Sequence, residues 1–114
     1  MIDLKDTFKY YMGAYYGVRE MDEYPTKEYV LKDIKDYIDS FVNDNPIPSF
    51  DYDEYSKQIE DELSLKTKLQ DALIVLHKIN GPLELIQMIK KRIKIIEEEE
   101  KWKNMINLKI FTNY

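Results

Sequence analysis

Asn80-Gly81-Pro82 places a helix stop directly beside a helix start, and it constrains this chain more than any other three residues. Asn and Gly tolerate the left-handed backbone that ends a helix. Pro suits a first helical turn, where its missing N–H would have no partner anyway. The stretches on either side, 51–79 and 82–110, are 29 residues each. As helices they would each run about 43 Å, matched in length for an antiparallel hairpin.

Apolar spacing supports helix on both sides of this stop. Leu85, Ile86, Ile89, Ile93 and Ile96 recur on one helical face after Pro82. Before it, Tyr52, Tyr55, Ile59 and Leu63 form one set, and Leu65, Leu69, Ala72, Leu76 and Ile79 form another. The two sets do not share a seam. Either the helix kinks or breaks near Glu62–Leu65, or its halves pack against different neighbours. Asp51, with Glu54 three residues on, supplies an N-terminal cap. INLKIF at 106–111 alternates as a strand would, as does IDL at 2–4, so a short terminal β pair competes with a continuing helix. The helix is favoured.

The N-terminal half is also helical. Leu4, Phe8, Tyr11, Tyr15 and Val18 share a face of a helix over 3–19. Gly13, Ala14 and Gly17 offer a small-residue surface on which another backbone could approach closely. A glycine inside a helix costs roughly 0.5–1 kcal/mol against Ala, so two in five residues point to tight packing. Residues 21–26 form a connection: Pro25 disfavours helix at Tyr24, and Thr26 can cap the next helix. From 27 to 42, Val30, Leu31, Ile34, Tyr37, Ile38, Phe41 and Val42 make the cleanest apolar stripe in the chain. Two prolines at 46 and 48 mark the next connection, over 43–49. The expectation is one all-α domain spanning 1–114, with helices at about 3–19, 27–42, 51–79 and 82–110. The two shorter N-terminal helices would lie across a long C-terminal antiparallel hairpin, a four-helix arrangement.

Charge is distributed unevenly. Residues 20–62 hold four lysines, no arginine and fourteen acids, a net −10 within a chain of net −5. That segment repels a phosphate backbone, which argues against direct nucleic-acid binding through it. Cysteine is absent, so disulfides and thiolate chemistry are excluded. The N-terminus lacks the basic start and apolar core of a signal peptide. No apolar run approaches the roughly 20 residues a transmembrane helix needs. These features suit a cytoplasmic protein.

Candidate chemistry is sparse. His77 is the one histidine, on a helix without a second ligand at metal-binding spacing. Nucleophile elbows, phosphate-binding loops and calcium-loop spacings are missing. The many carboxylates lack apolar shielding that would shift their pKa toward catalysis. No enzyme activity, cofactor or metal is expected.

Tyrosine is the anomaly: nine of ten fall within residues 10–55, inside or just before the acidic segment. Tyrosine gives large contact area at low entropic cost and is enriched at protein interfaces. Phe8, Tyr11 and Tyr15 read as core. Tyr10, Tyr16 and Tyr24 lie off that stripe and, with Asp33, Asp36 and Asp39, are the candidate partner-binding residues. High Ile, Lys, Asn and Tyr usage also fits an AT-rich coding sequence, which accounts for part of the excess without function. The leading expectation is a non-catalytic protein-binding module, an inhibitor or adaptor of the kind that phage and mobile elements encode. Its acidic face would meet a partner with a basic groove and mimic nucleic acid there. Two alternatives compete: a bacteriocin-immunity-like four-helix protein, and a DNA-binding regulator using the Lys90–Lys94 cluster. Glu97–Glu100 weigh against the regulator. Trp102, Met105 and Ile106 continue an apolar face beyond that acidic run. A homo-oligomer is compatible with the sequence as a whole.

Overall fold

Helix α1 (Leu4–Arg19) is the hub of the fold. In the computed structural model, which describes residues 3–22 and 26–112 (backbone alone at 26 and 107–112), it touches all four other helices. These are α2 (Thr26–Asp44), α3 (Tyr52–Glu62), α4 (Leu65–Lys78) and α5 (Leu83–Thr112). The described residues contain no strand. The described residues are therefore all-α, with five helices where the sequence led us to expect four.

The extra helix comes from a break in the predicted 51–79 element. Leu63 is extended, and Ser64 takes an N-cap conformation with its hydroxyl accepting the Thr67 N–H at 3.2 Å. The break resolves the mismatch between the two apolar sets, because each half turns its own face inward. Ile59 of α3 is buried, as are Leu69, Ala72, Val75 and Leu76 of α4. At the junction, Lys68 is 7% exposed and its ammonium donates to the Glu60 carbonyl at 3.2 Å. A cation thus caps the carbonyl end of α3, where the helix dipole favours it.

The hairpin consequently has unequal arms. Asn80 adopts φ 54°, and the Gly81 N–H reaches back to the Leu76 carbonyl at 2.8 Å, closing α4 with a Schellman-type turn. The left-handed residue is Asn80 rather than Gly81. Pro82 then offers its carbonyl to the Ile86 N–H at 3.1 Å as α5 begins. Opposite the short α4, α5 runs for 30 residues through the segment with strand-like alternation. Cross-strand pairing would have required residues 2–4, and residues 1 and 2 lie outside the described set.

The two N-terminal helices do not simply lie across the hairpin. α1 is wedged between α2 and α4, so it is buried on more than its predicted face. Phe8, Tyr11 and Val18 are buried as expected, and so are Thr7, Met12, Gly13, Ala14 and Gly17. Leu4 remains exposed and Tyr15 half-buried. Gly13 and Gly17 face α4, where a side chain would meet Lys68 and Leu69. α2 contributes Val30, Ile34 and Ile38 to the core, and Tyr37 stacks on Tyr11 with ring centroids 5.9 Å apart. α2 runs two residues past 42 and stops at Asp44, just before the residue that Pro46 bars from helix.

Candidate functional site

α2 and α3 both lean on α1 and hardly touch each other, which leaves a groove of about 550 Å³ between them. Phe8, Met12, Tyr15 and Tyr16 of α1 form its floor. Ile38 and Val42 line the α2 side, and Tyr52 the α3 side. Lys35, Asp39 and Asn43 on α2 and Asp53 and Ser56 on α3 supply the polar lining. The loop 45–51 leads from α2 into α3. It is pinned by the Tyr52 hydroxyl, which accepts the Ile47 N–H at 2.8 Å and donates to the Asn45 carbonyl at 3.5 Å.

Aromatic packing sets the position of α3. Phe8 meets Tyr52 edge-on at 5.2 Å and Phe50 at 5.8 Å, and Phe50 in turn packs on Tyr52 and Tyr55, each at 4.9 Å. Such pairs add about 0.5–1.5 kcal/mol each beyond the area they bury. The Asp51 carboxylate caps α3 by accepting the Glu54 N–H at 3.1 Å, as the sequence implied.

The candidate residues separate. Tyr16 and Asp39 both line the groove. Tyr16 is half-buried; the Lys68 ammonium lies 5.4 Å from its ring centre, and burial, with Glu60 nearby, raises its phenol pKa. Asp33 and Asp36 are exposed on α2 outside the groove. The ion pairs Arg19–Glu60 (3.4 Å) and Lys66–Glu100 (2.9 Å) involve none of the three α2 aspartates. Tyr10 lies elsewhere on α1, half-buried, with its pKa raised by burial and by Asp71 and Asp6. Tyr24 falls outside the described residues. Sequence reasoning did not assign Lys35, Asn43, Asp53 and Ser56 to a site.

The Ser56 hydroxyl donates to the Tyr52 carbonyl at 2.7 Å within its own helix. No group of three or more His, Asp or Glu among the described residues could hold a metal ion. No helix among them is long and apolar enough to cross a membrane.

No family model, curated protein or solved structure matches this chain.

His77 is exposed on α4, apart from the groove, with no second histidine in the chain to join it. The groove between α2 and α3 sits wholly within the acidic, Tyr-rich half and the α1 helix that floors it.

Proposed function

We propose that this chain is a non-catalytic binding module that docks on another protein and inhibits or adapts it, using the α1–α2–α3 groove and the acidic face of α2. The observation that carries this reading is the pairing of an aromatic floor with carboxylates at its edge. Phe8, Tyr15, Tyr16 and Tyr52 provide anchoring surface, and Asp39 and Asp53 border it. The fitting partner is basic and presents apolar side chains, because aromatic contacts hold a complex while charge steers its approach. Asp33 and Asp36 extend the acidic surface beyond the groove, which favours a partner that otherwise binds nucleic acid. Phage and mobile-element accessory proteins share this small, acidic, aromatic character. That likeness is one of general type.

The test compares binding kinetics on a basic partner captured with the parent chain. Reversing Asp33, Asp36 and Asp39 to Lys should slow association and flatten its salt dependence. Val42→Arg, within the groove wall, should speed dissociation. Glu98→Lys, on exposed α5 surface, should leave both rates unchanged. Binding that is abolished by the Glu98 change and indifferent to the others would end this reading.

A further inference from the structure

Two unpartnered apolar features on this molecule have opposite charge. One is the groove, with Asp39 and Asp53 at its edge and Lys35 as its one cation. The other is the free end of α5. Lys66, the second residue of α4, pairs with Glu100, so α4 begins there and the part of α5 after Glu100 runs on without it. Residues 101–112 thus project as about 18 Å of helix. On this overhang Trp102, Met105 and Ile106 are 64%, 51% and 42% exposed. Their i, i+3, i+4 spacing is that of anchors on a helix that lies in a groove. Lys101 and Lys103 flank them, and residues 101–114 carry three lysines and no acid.

The overhang cannot reach its own groove. α4 runs antiparallel to α1, because Asp71 lies by Tyr10 near the start of α1 and Leu65 lies by Gly17 near its end. The Asn80 turn reverses the chain again, so α5 runs parallel to α1. Its C-terminal end therefore leads away from Phe8–Tyr16, and α5 has no break at which to turn back.

We propose that the overhang of α5 docks in the α1–α2–α3 groove of a second copy of this chain. This rests on the reading of the groove as a docking site, and makes self-occupancy the state that a partner displaces. Trp102 supplies the central anchor in the recess. Lys101 and Lys103 meet Asp39 and Asp53.

Trp102 is the only tryptophan, so its emission reports the docking directly. The full chain is followed by sedimentation and fluorescence across a concentration series. The expected result is concentration-dependent self-association, with Trp102 emission shifting to the blue in parallel. Trp102→Ala should weaken association about tenfold or more, as loss of a central aromatic anchor does. The double variants Asp39→Lys/Asp53→Lys and Lys101→Glu/Lys103→Glu should each be monomeric alone and associate when mixed. Circular dichroism checks that these surface variants stay folded. A monomer with red-shifted Trp102 at every concentration overturns the proposal, and leaves partner binding to the kinetic test above. Association that needs Trp102 but ignores the Asp39 and Asp53 reversals also overturns it, pointing to pairing between α5 helices.

Discussion

Gly13 of α1 faces the backbone of Lys68 on α4 so closely that a Cβ there would stand 3.2 Å from the Lys68 carbonyl oxygen. One turn on, a Cβ at Gly17 would overlap the side chain of Leu69, which is fully buried. This contact seats the central helix. Gly13→Ala and Gly17→Ala each gain roughly 1 kcal/mol in helix propensity. Overpacking should outweigh that gain at Gly17, with a net loss of about 1–2 kcal/mol, and leave a smaller loss at Gly13. Urea unfolding midpoints check both, and a more stable Gly17→Ala would show that the α1–α4 interface has slack.

Ser64→Ala should destabilise the protein by about 1 kcal/mol, because the α4 N-cap loses its bond to the Thr67 N–H. The variant should keep its helical circular dichroism and shift only its urea midpoint.

Ile34 and Ile89 are buried at the centres of the α2 and α5 stripes. Ile34→Asp and Ile89→Asp each bury an unpaired carboxylate. The cost of several kcal/mol is comparable to the whole stability of a small domain. Loss of a cooperative melt is expected. A parent-like melting temperature in either variant would remove that face from the core.

Alkaline pH should destabilise the protein from about pH 10 upward. Burial raises the phenol pKa of Tyr10, Tyr11, Tyr16 and Tyr55 over the ordinary 10.0, with Asp71, Tyr37, Glu60 and Asp6 respectively the next cause. A pKa raised on folding means that the folded state holds the proton more tightly. Its contribution is intact below pH 10 and is lost as pH climbs through the raised folded value. Lys66, raised by its hydrogen bond to Glu100, acts in the same direction. The melting temperature should fall above pH 10 in step with tyrosinate absorbance. Tyr11→Phe, which keeps the ring stacked on Tyr37, should lessen the decline.

Duplex DNA should show no measurable affinity at physiological salt. The net −10 of residues 20–62 opposes phosphate approach, and Glu97–Glu100 lie close behind the Lys90–Lys94 cluster. Sub-micromolar, salt-sensitive binding in a gel-shift assay would instead favour a DNA-binding regulator.

The candidate site was legible in part. The excess of tyrosine with acid marked the half of the chain that holds the recess, and Tyr16 and Asp39 do line it. The stripe rule separated Tyr16 from the core too sharply, because α1 is covered on several sides and no single face describes it. The α3 wall escaped notice since Tyr52 and Tyr55 satisfy a core pattern equally well. A residue at a groove edge carries the same periodicity as one buried beneath it.

By itself the sequence determined the helical class, the stop at Asn80–Pro82, the Asp51 cap and the apolar faces of α2 and α5. Each of these depends on spacing or capping within a few residues of chain, so no distant partner is needed to read it. Ser64 was ambiguous at that level, for a serine inside a helix and a serine that caps one have the same neighbours. Tertiary packing decided between them. The apolar faces of α3 and α4 point in different directions, and only a break lets both bury against α1. The same packing decided that α1 lies at the centre, that α2 and α3 stand apart over it, and that α5 outruns its shortened hairpin arm. Those are relations between surfaces far apart in the chain, where the free energy of burial depends on what the rest of the molecule brings to the contact.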